Sequence, residues 1–460
     1  MPIITNMPAA YDTANDDQRY GIAAAEHARS MGRNILITGD AGTGKTFEIE
    51  LYAEYCRMQG LNTVMTAPTG TAATKLKGTT LHKLLRLGLG VQDGSVSEYQ
   101  KQNIIAMISR IDVLIIDEIS MVPDYIMNAL SNQLSIANAI RDGRNEPPIQ
   151  LVLCGDFGQL QPVVTADDRK IYAQIFGREI GNAMCFASDA WSILDPIPVM
   201  LRQPMRQTDP AFCRALDNIK IGISSDIPYI NAESAQSEIP GAICLCGRNA
   251  TADAQNAKRL EDMAGEKFVS KIEASGNAKP SQTNMPEILE YKIGSRVMAL
   301  INTPGFANGS LGTIVNRSGN GDNIVVEFDS GRRESIQKHT VETFRYTTNS
   351  ATGRIERQVD GRLRQFPLRI AYAVSVHKSQ GQTFDGVNLV PEIFAPGQLY
   401  TALTRVRSIK DLHIIPDSFG IKLTEGMVKA DKEIVKFLID QDAEAAKFRK
   451  WFESSVRAAI

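Results

Sequence analysis

The chain has 460 residues, 43% hydrophobic and 22% charged, with 50 lysines and arginines against 52 acids and a formal net charge of −2. That length predicts two or three domains with real cores, and the composition excludes a fibrous or disordered chain. Near-neutrality also excludes a globally basic protein, so any polyanion partner must be held by local charge. The six cysteines (Cys56, Cys154, Cys185, Cys213, Cys244, Cys246) are scattered, which argues against a secreted disulfide framework and for a reduced, cytoplasmic setting. Cys244 and Cys246 read as same-face residues of a buried strand, not as a metal site. The N-terminus shows no signal-peptide pattern, and no run nears the ~18 apolar residues of a membrane span.

Along the chain, short branched apolar runs alternate with helical patterns. Residues 34–38 predict a strand, about 45–59 a helix, and 63–66, 113–116 and 150–153 further strands. Such runs separated by helices predict a parallel sheet covered on both faces. Beyond about Pro196 the texture changes. A helix around 212–219 leads to a strand at 242–246. Residues 295–364 then read as all-β, with strands at 296–300, 312–315 and 323–328 joined by Gly- and Asn-rich turns. The expectation is a small β-barrel inserted into a second α/β domain, which resumes near Ile370 and adds strands at 387–390 and 412–415. From Thr424 a final helix places Ile434, Phe437, Leu438, Ala445 and Phe448 near one face. The predicted domains are 1–194, then 195–294 with 366–420, the insertion at 295–365, and a helical extension at 421–460.

Gly39-Asp40-Ala41-Gly42-Thr43-Gly44-Lys45-Thr46 fits the phosphate-loop pattern G-x-x-x-x-G-K-[ST], between a strand and a helix. Its backbone amides form a nest for phosphate oxygens, Lys45 brings charge to the β and γ phosphates, and the Thr46 hydroxyl is a Mg²⁺ ligand. Asp117 and Glu118 end an apolar strand. Asp117 suits the Mg²⁺ shell and Glu118 the polarisation of an attacking water, which favours hydrolysis over transfer to a small molecule. After the strand at 150–153 comes Gly155-Asp156-Phe157-Gly158-Gln159, where the uncharged amide of Gln159 can sense a γ phosphate.

These motifs, with Asp117-Glu118-Ile119-Ser120-Met121, residues 376–383 (Val-His-Lys-Ser-Gln-Gly-Gln-Thr) and residues 397–406 (Gly-Gln-Leu-Tyr-Thr-Ala-Leu-Thr-Arg-Val), resemble superfamily-1 DNA helicases. The wording is similar to the 5′→3′ branch: petite-integration-frequency, RecD-like and phage Dda-type helicases. The resemblance runs from Asp17 to about Ile415. It implies an α/β fold of two RecA-like domains with an SH3-like barrel in the second. It further implies an ATP- and Mg²⁺-dependent 5′→3′ translocase and helicase of bacterial or phage type, acting on single-stranded and 5′-tailed duplex DNA. A monomer is the expected state, and replication, repair or recombination the expected setting for protein partners.

Residue by residue, the resemblance implies that Gln18 reads the adenine edge, that Gly381 lies at the nucleotide, and that Arg206 and Arg405 reach the γ phosphate across a cleft. Pro68, Thr69, Thr80, His82, His377, Lys378 and Ser379 are the implied strand contacts, supported by the local bases Lys75, Lys77 and Lys83. The strand-separating wedge of this branch falls at about 84–105, where Tyr99 is the one aromatic. Gln161, Met205, Thr401 and Thr404 depart from the usual wording without removing a charged or phosphate-binding group. The competing reading is a nucleotide switch or RecD-like subunit that supports partners without robust unwinding. The complete set of Glu118, Gln159, Arg206 and Arg405 weighs against it.

Overall fold

The structure is a computed structural model that describes residues 7–87, 91, 104–162, 164, 166–181, 183–306, 308–348 and 355–458. The expected wedge lies largely outside these residues. No described helix is long and apolar enough to cross a membrane.

The first sheet is built from β1 (Ile35–Gly39), β2 (Thr63–Ala67), β3 (Thr79–Thr80), β4 (Val113–Ile116), β5 (Gln150–Gly155) and β6 (Ile197–Leu201), in the order β3-β2-β4-β5-β1-β6. Every pairing is parallel. The strands β1, β2, β4 and β5 are buried along their whole length, as helix-covered parallel strands must be. The expected boundary at residue 194 is corrected by β6, which belongs to this first sheet. Among the described residues β6 pairs only with β1, and an edge strand tolerates Pro198 because one side of its backbone needs no donor. The order sets the C-terminal ends of β1, β4 and β5 side by side. The three candidate loops therefore leave the sheet at one place.

After β7 (Ile243–Cys246) the chain departs into an inserted module: β8 (Phe268–Lys271), β9 (Glu273–Gly276), β10 (Ile288–Tyr291), β11 (Arg296–Ala299), β12 (Leu311–Arg317), β13 (Asn323–Phe328), β14 (Arg333–Gln337), β15 (His339–Thr348), β16 (Ile355–Gln365) and β17 (Leu368–Ile370). Five of these form an antiparallel sheet ordered β14-β13-β12-β11-β17 around Val297, Ile314, Val326 and Phe366. Among the described residues no pairing joins β14 to β17, so the expected barrel appears as a sheet with two edges. The module is also larger than 295–365, because β8 pairs with β10 and β9 with β16, which ties the preceding segment to it. The second α/β sheet then resumes with β18 (Ala373–Ser375), β19 (Val387–Leu389) and β20 (Leu412–Ile414), parallel and ordered β18-β7-β19-β20.

The last helix, Lys432–Ala458, starts later than expected and returns to the first domain. Ile434 joins the first-domain core, with Phe437 and Leu438 packed against it. The Phe437 ring stacks on Phe186 at 4.1 Å and meets Phe157 at 4.9 Å and Trp191 at 5.6 Å between centroids. Farther along, Phe452 packs on Tyr20 at 5.6 Å, and Arg449 pairs with Asp17 at 2.8 Å. Phe437→Ala should therefore lower stability in urea denaturation by about 2–4 kcal/mol. Ile439→Ala, at a site 58% exposed, should stay within about 0.5 kcal/mol; equal losses would contradict this docking.

Candidate functional site

Gly44, at φ 83°, caps the helix Lys45–Met58 in the left-handed region. An L side chain would be strained at that φ, which favours glycine, and a Cβ there would also push on the Gln18 side chain, whose Nε2 would lie 2.2 Å away. A cleft of about 370 Å³ opens beside it, walled by Ala41, Gly42, Gly44, Lys45 and Thr46 from the loop, by Asp117, Glu118 and Gln159, and by Arg206, Gly381 and Arg405. Gly39, Asp40, Thr43 and Gln18 are not among its lining residues. The Gln18 side chain accepts from Asn15 N–H at 3.0 Å, closing a capping box on the helix Asp16–Ser30, and donates to the Thr43 carbonyl at 3.4 Å. Here Gln18 supports the loop from outside the cleft.

Lys45 Nζ donates to the carbonyls of Gly39 and Asp40 at 2.9 and 2.8 Å, so its charge is held inside the loop. Thr46 Oγ1 donates to Asp117 Oδ2 at 3.1 Å. A hydroxyl and a carboxylate at this spacing are the hard oxygen donors that Mg²⁺ takes, and the site fits that ion. Glu118 has φ 51°, an uncommon value for a non-glycine residue, and its N–H donates to Asp117 Oδ1 at 2.8 Å. Desolvation, with the negative Asp117 alongside, raises its carboxyl to about 7. That places it near the working pH of a general base.

On the opposite wall, Arg206 donates to the Thr404 carbonyl at 2.9 Å. Arg405 is 1% exposed, with hydrogen bonds to the carbonyls of Thr401, Ser379 and Gln382. Burial, with Arg206 beside it, lowers Arg405 to about 10. These bonds run to neutral carbonyls, and both guanidinium groups line the cleft, which makes this wall attractive to an anion. The sequence reading missed other residues here. Lys75, expected on the strand path, and Arg407 also line the cleft. Lys220 forms an ion pair with Asp40 of the phosphate loop, and Tyr400 reaches the same loop from the second domain. Nothing local in the sequence marks Lys220, whereas Tyr400 lies inside the 397–406 motif.

The expected strand contacts lie at the C-terminal ends of three strands: Pro68 and Thr69 after β2, Thr80 and His82 at and after the end of β3, and His377, Lys378 and Ser379 after β18. The Thr69 and Thr80 hydroxyls accept from Ala72 N–H and Lys83 N–H, each at 3.2 Å, and so cap two short helices. Burial lowers the pKa of both His82 and His377, which favours neutral rings for stacking. Lys378 is exposed, beside Asp253 at 3.5 Å. Ser379 is corrected: it is fully buried and its hydroxyl donates to the Val376 carbonyl at 2.8 Å, because the turn folds it inward. The inserted module covers the first-domain part of this path. Lys83 pairs with Asp360 at 2.5 Å, and Thr74 donates to the Gln282 carbonyl at 3.0 Å.

Comparison with known proteins points one way. A family model described as PIF1-like helicase matches residues 13–219. The ATP-dependent DNA helicase Pif1 of Bdellovibrio bacteriovorus is 30% identical over 414 residues, covering 85% of this chain and 86% of that protein. Human ATP-dependent DNA helicase PIF1 is 30% identical over 431 residues, 89% of this chain and 62% of that protein. The chain thus spans less than two thirds of this longer relative. A Bacteroides Pif1 solved with ADP-AlF4 matches with TM-score 0.78 at 26% identity, over 94% of this chain and 97% of that one. A Bacteroides Pif1 bound to single-stranded DNA matches with TM-score 0.61, at 27% identity and the same coverage.

The raised Glu118 carboxyl has two measurable consequences. As a base it must be ionised, so kcat/KM for ATP should rise with pH through an apparent pKa near 7. Glu118→Gln should remove both the rate and that limb. The native state holds this proton more tightly than the unfolded chain. The stability it contributes is therefore complete below about 4.5 and lost as pH rises through about 7. Glu118→Gln should gain Tm relative to the unsubstituted protein between about pH 5 and 8; a pH-independent difference would contradict the assignment.

Proposed function

The chain belongs to the PIF1-like helicase family, and on that premise we propose that it is an ATP-dependent DNA helicase moving 5′→3′ along single-stranded DNA. The observation that carries this reading is the composition of the cleft. Lys45, Asp117 and Glu118 come from the first domain's strand ends, Arg405 comes from the second domain, and Arg206 stands at the junction; all face one volume. A site completed only where two domains meet ties nucleotide state to domain separation.

In this reading Lys45 leaves the carbonyls of Gly39 and Asp40 for the β and γ phosphates. Thr46 and Asp117 hold Mg²⁺, which when bound offsets negative charge on the same phosphates. Glu118 accepts the proton of the attacking water. Gln159 contacts the γ phosphate without adding charge, and Arg206 and Arg405 stabilise charge spreading over the phosphoryl oxygens. ATP would draw the domains together and hydrolysis would let them part. DNA would run over the Pro68–Thr69, Thr80–His82 and His377–Lys378 surfaces, where spread phosphate contacts and ring stacking hold a strand without reading its sequence. The Bacteroides Pif1 bound to single-stranded DNA supports this substrate class. Because the Lys83–Asp360 pair occupies that surface, the inserted module has to yield before a strand can seat.

ATP hydrolysis should rise sharply with single-stranded DNA, and Lys45→Ala should lower it about 10²- to 10³-fold while leaving the fold intact. With ATP and Mg²⁺, a 5′-tailed duplex should be unwound and the matched 3′-tailed duplex should not; equal unwinding would refute the polarity. Asp360→Asn should tighten single-strand binding by about 3- to 10-fold in fluorescence titration, by freeing Lys83. Unchanged affinity would remove that ion pair from the path.

A further inference from the structure

The hydroxyl of Tyr400 sits where the two domains meet. Its helix, Gln398–Leu403, belongs to the second domain and runs into the segment carrying Arg405. The residue is 2% exposed. Its Oη accepts a hydrogen bond from the Ala41 N–H of the phosphate loop at 3.1 Å and donates one to Asp156 Oδ2 at 3.2 Å. The same Asp156 oxygen accepts from Gln159 Nε2 at 2.8 Å, and Asp156 Oδ1 accepts from Gly158 N–H at 3.0 Å. Burial, with Asp156 and Asp40 nearby, pushes the phenol well above its ordinary range. The hydroxyl therefore keeps the proton that it donates to Asp156.

The backbone holds this arrangement tight. Gly397, at φ 72°, precedes the helix, and a Cβ there would come 2.5 Å from the Gln159 carbonyl oxygen and 2.8 Å from that of Gly158. The helix is thus pressed directly onto the segment that carries Gln159. A buried tyrosine with only a packing role needs one convenient partner for its hydroxyl. Tyr400 has two, both in the other domain and on two different loops of the nucleotide cleft.

We propose that Tyr400 is a positioning residue for ATP hydrolysis. Its hydroxyl, which arrives only with the second domain, orients Asp156 and through it the Gln159 amide toward the γ-phosphate site. Closing the cleft and aligning the sensor are then a single event, which also delivers Arg405. This inference rests on the helicase reading given above.

The test is steady-state ATP hydrolysis at saturating single-stranded DNA for the wild-type protein, Tyr400→Phe, Gln159→Ala and the double variant, together with titration of each by a fluorescent ADP. Tyr400→Phe keeps the ring and removes one oxygen. It should lower kcat about 10- to 100-fold while ADP affinity stays within about twofold of wild type. In the Gln159→Ala background the same change should cost less than about twofold, because the group it acts through is already gone. Multiplicative losses in the double variant, or ADP affinity falling in step with kcat, would mean a structural role and would overturn the proposal. A wild-type protein without DNA-stimulated hydrolysis would instead remove the helicase reading. An active wild type beside an equally active Tyr400→Phe protein overturns this inference alone.

Discussion

A phosphate loop can seat a triphosphate with its own amides, but it cannot by itself neutralise the charge that spreads over the γ oxygens as the bond breaks. The fold supplies the missing cations from outside the first sheet, and everything else is arranged so that they arrive together. The second domain grips the loop at successive residues: Lys220 on the Asp40 carboxylate, Tyr400 on the Ala41 amide, and, from the junction, the Met205 N–H on the Gly42 carbonyl at 2.9 Å. The hydrogen bonds of Arg405 run to its own domain, so this arginine moves as part of a rigid wall. In the proposed cycle the second-domain wall moves as a unit, and the rearrangements fall on Lys45 and Gln159 of the first domain.

The terminal helix gives the first domain a second brace. Phe437 packs against Phe157, which lies between Asp156 and Gln159, while Arg449 pairs with Asp17, the neighbour of Gln18. Both ends of the helix therefore bear on segments that border the nucleotide cleft. Asp17 also accepts from the N–H groups of Arg202 and Gln203 at 2.9 and 3.0 Å, which ties the brace to the chain leading to Arg206. The inserted module acts on the other surface, where Asp360 and Gln282 engage Lys83 and Thr74. The first domain is thus braced by the terminal helix beside the nucleotide cleft and by the inserted module beside β2 and β3.

The parts of this design that depend on neighbours in sequence were legible in advance. The phosphate loop, the Asp117-Glu118 strand end and the Gly155–Gln159 loop carry their chemistry in consecutive residues, and the buried parallel strands announce themselves by branched apolar runs. The parts set by long-range packing were not. The strand β6 follows the expected boundary at residue 194, and nothing local shows that it pairs back onto β1. Ser379 reads as an exposed hydroxyl until the turn around it is seen to fold inward. Lys75 lies close in sequence to the expected strand contacts but lines the cleft beside the phosphate loop. Lys220 and Asp40 come together only through the docking of one domain on the other, and the terminal helix shows its apolar face without showing which domain that face covers.

The central claim is that nucleotide state sets the separation of the two domains and thereby assembles the catalytic wall. It is tested most directly by pulsed distance measurement between labels at Met58, on the helix that follows the phosphate loop, and Phe419, beyond β20, which are 52% and 85% exposed. With a non-hydrolysable ATP analogue and Mg²⁺ the distances should collapse to one narrow, short population, and with ADP they should broaden and lengthen. A distribution identical in both states would contradict the account.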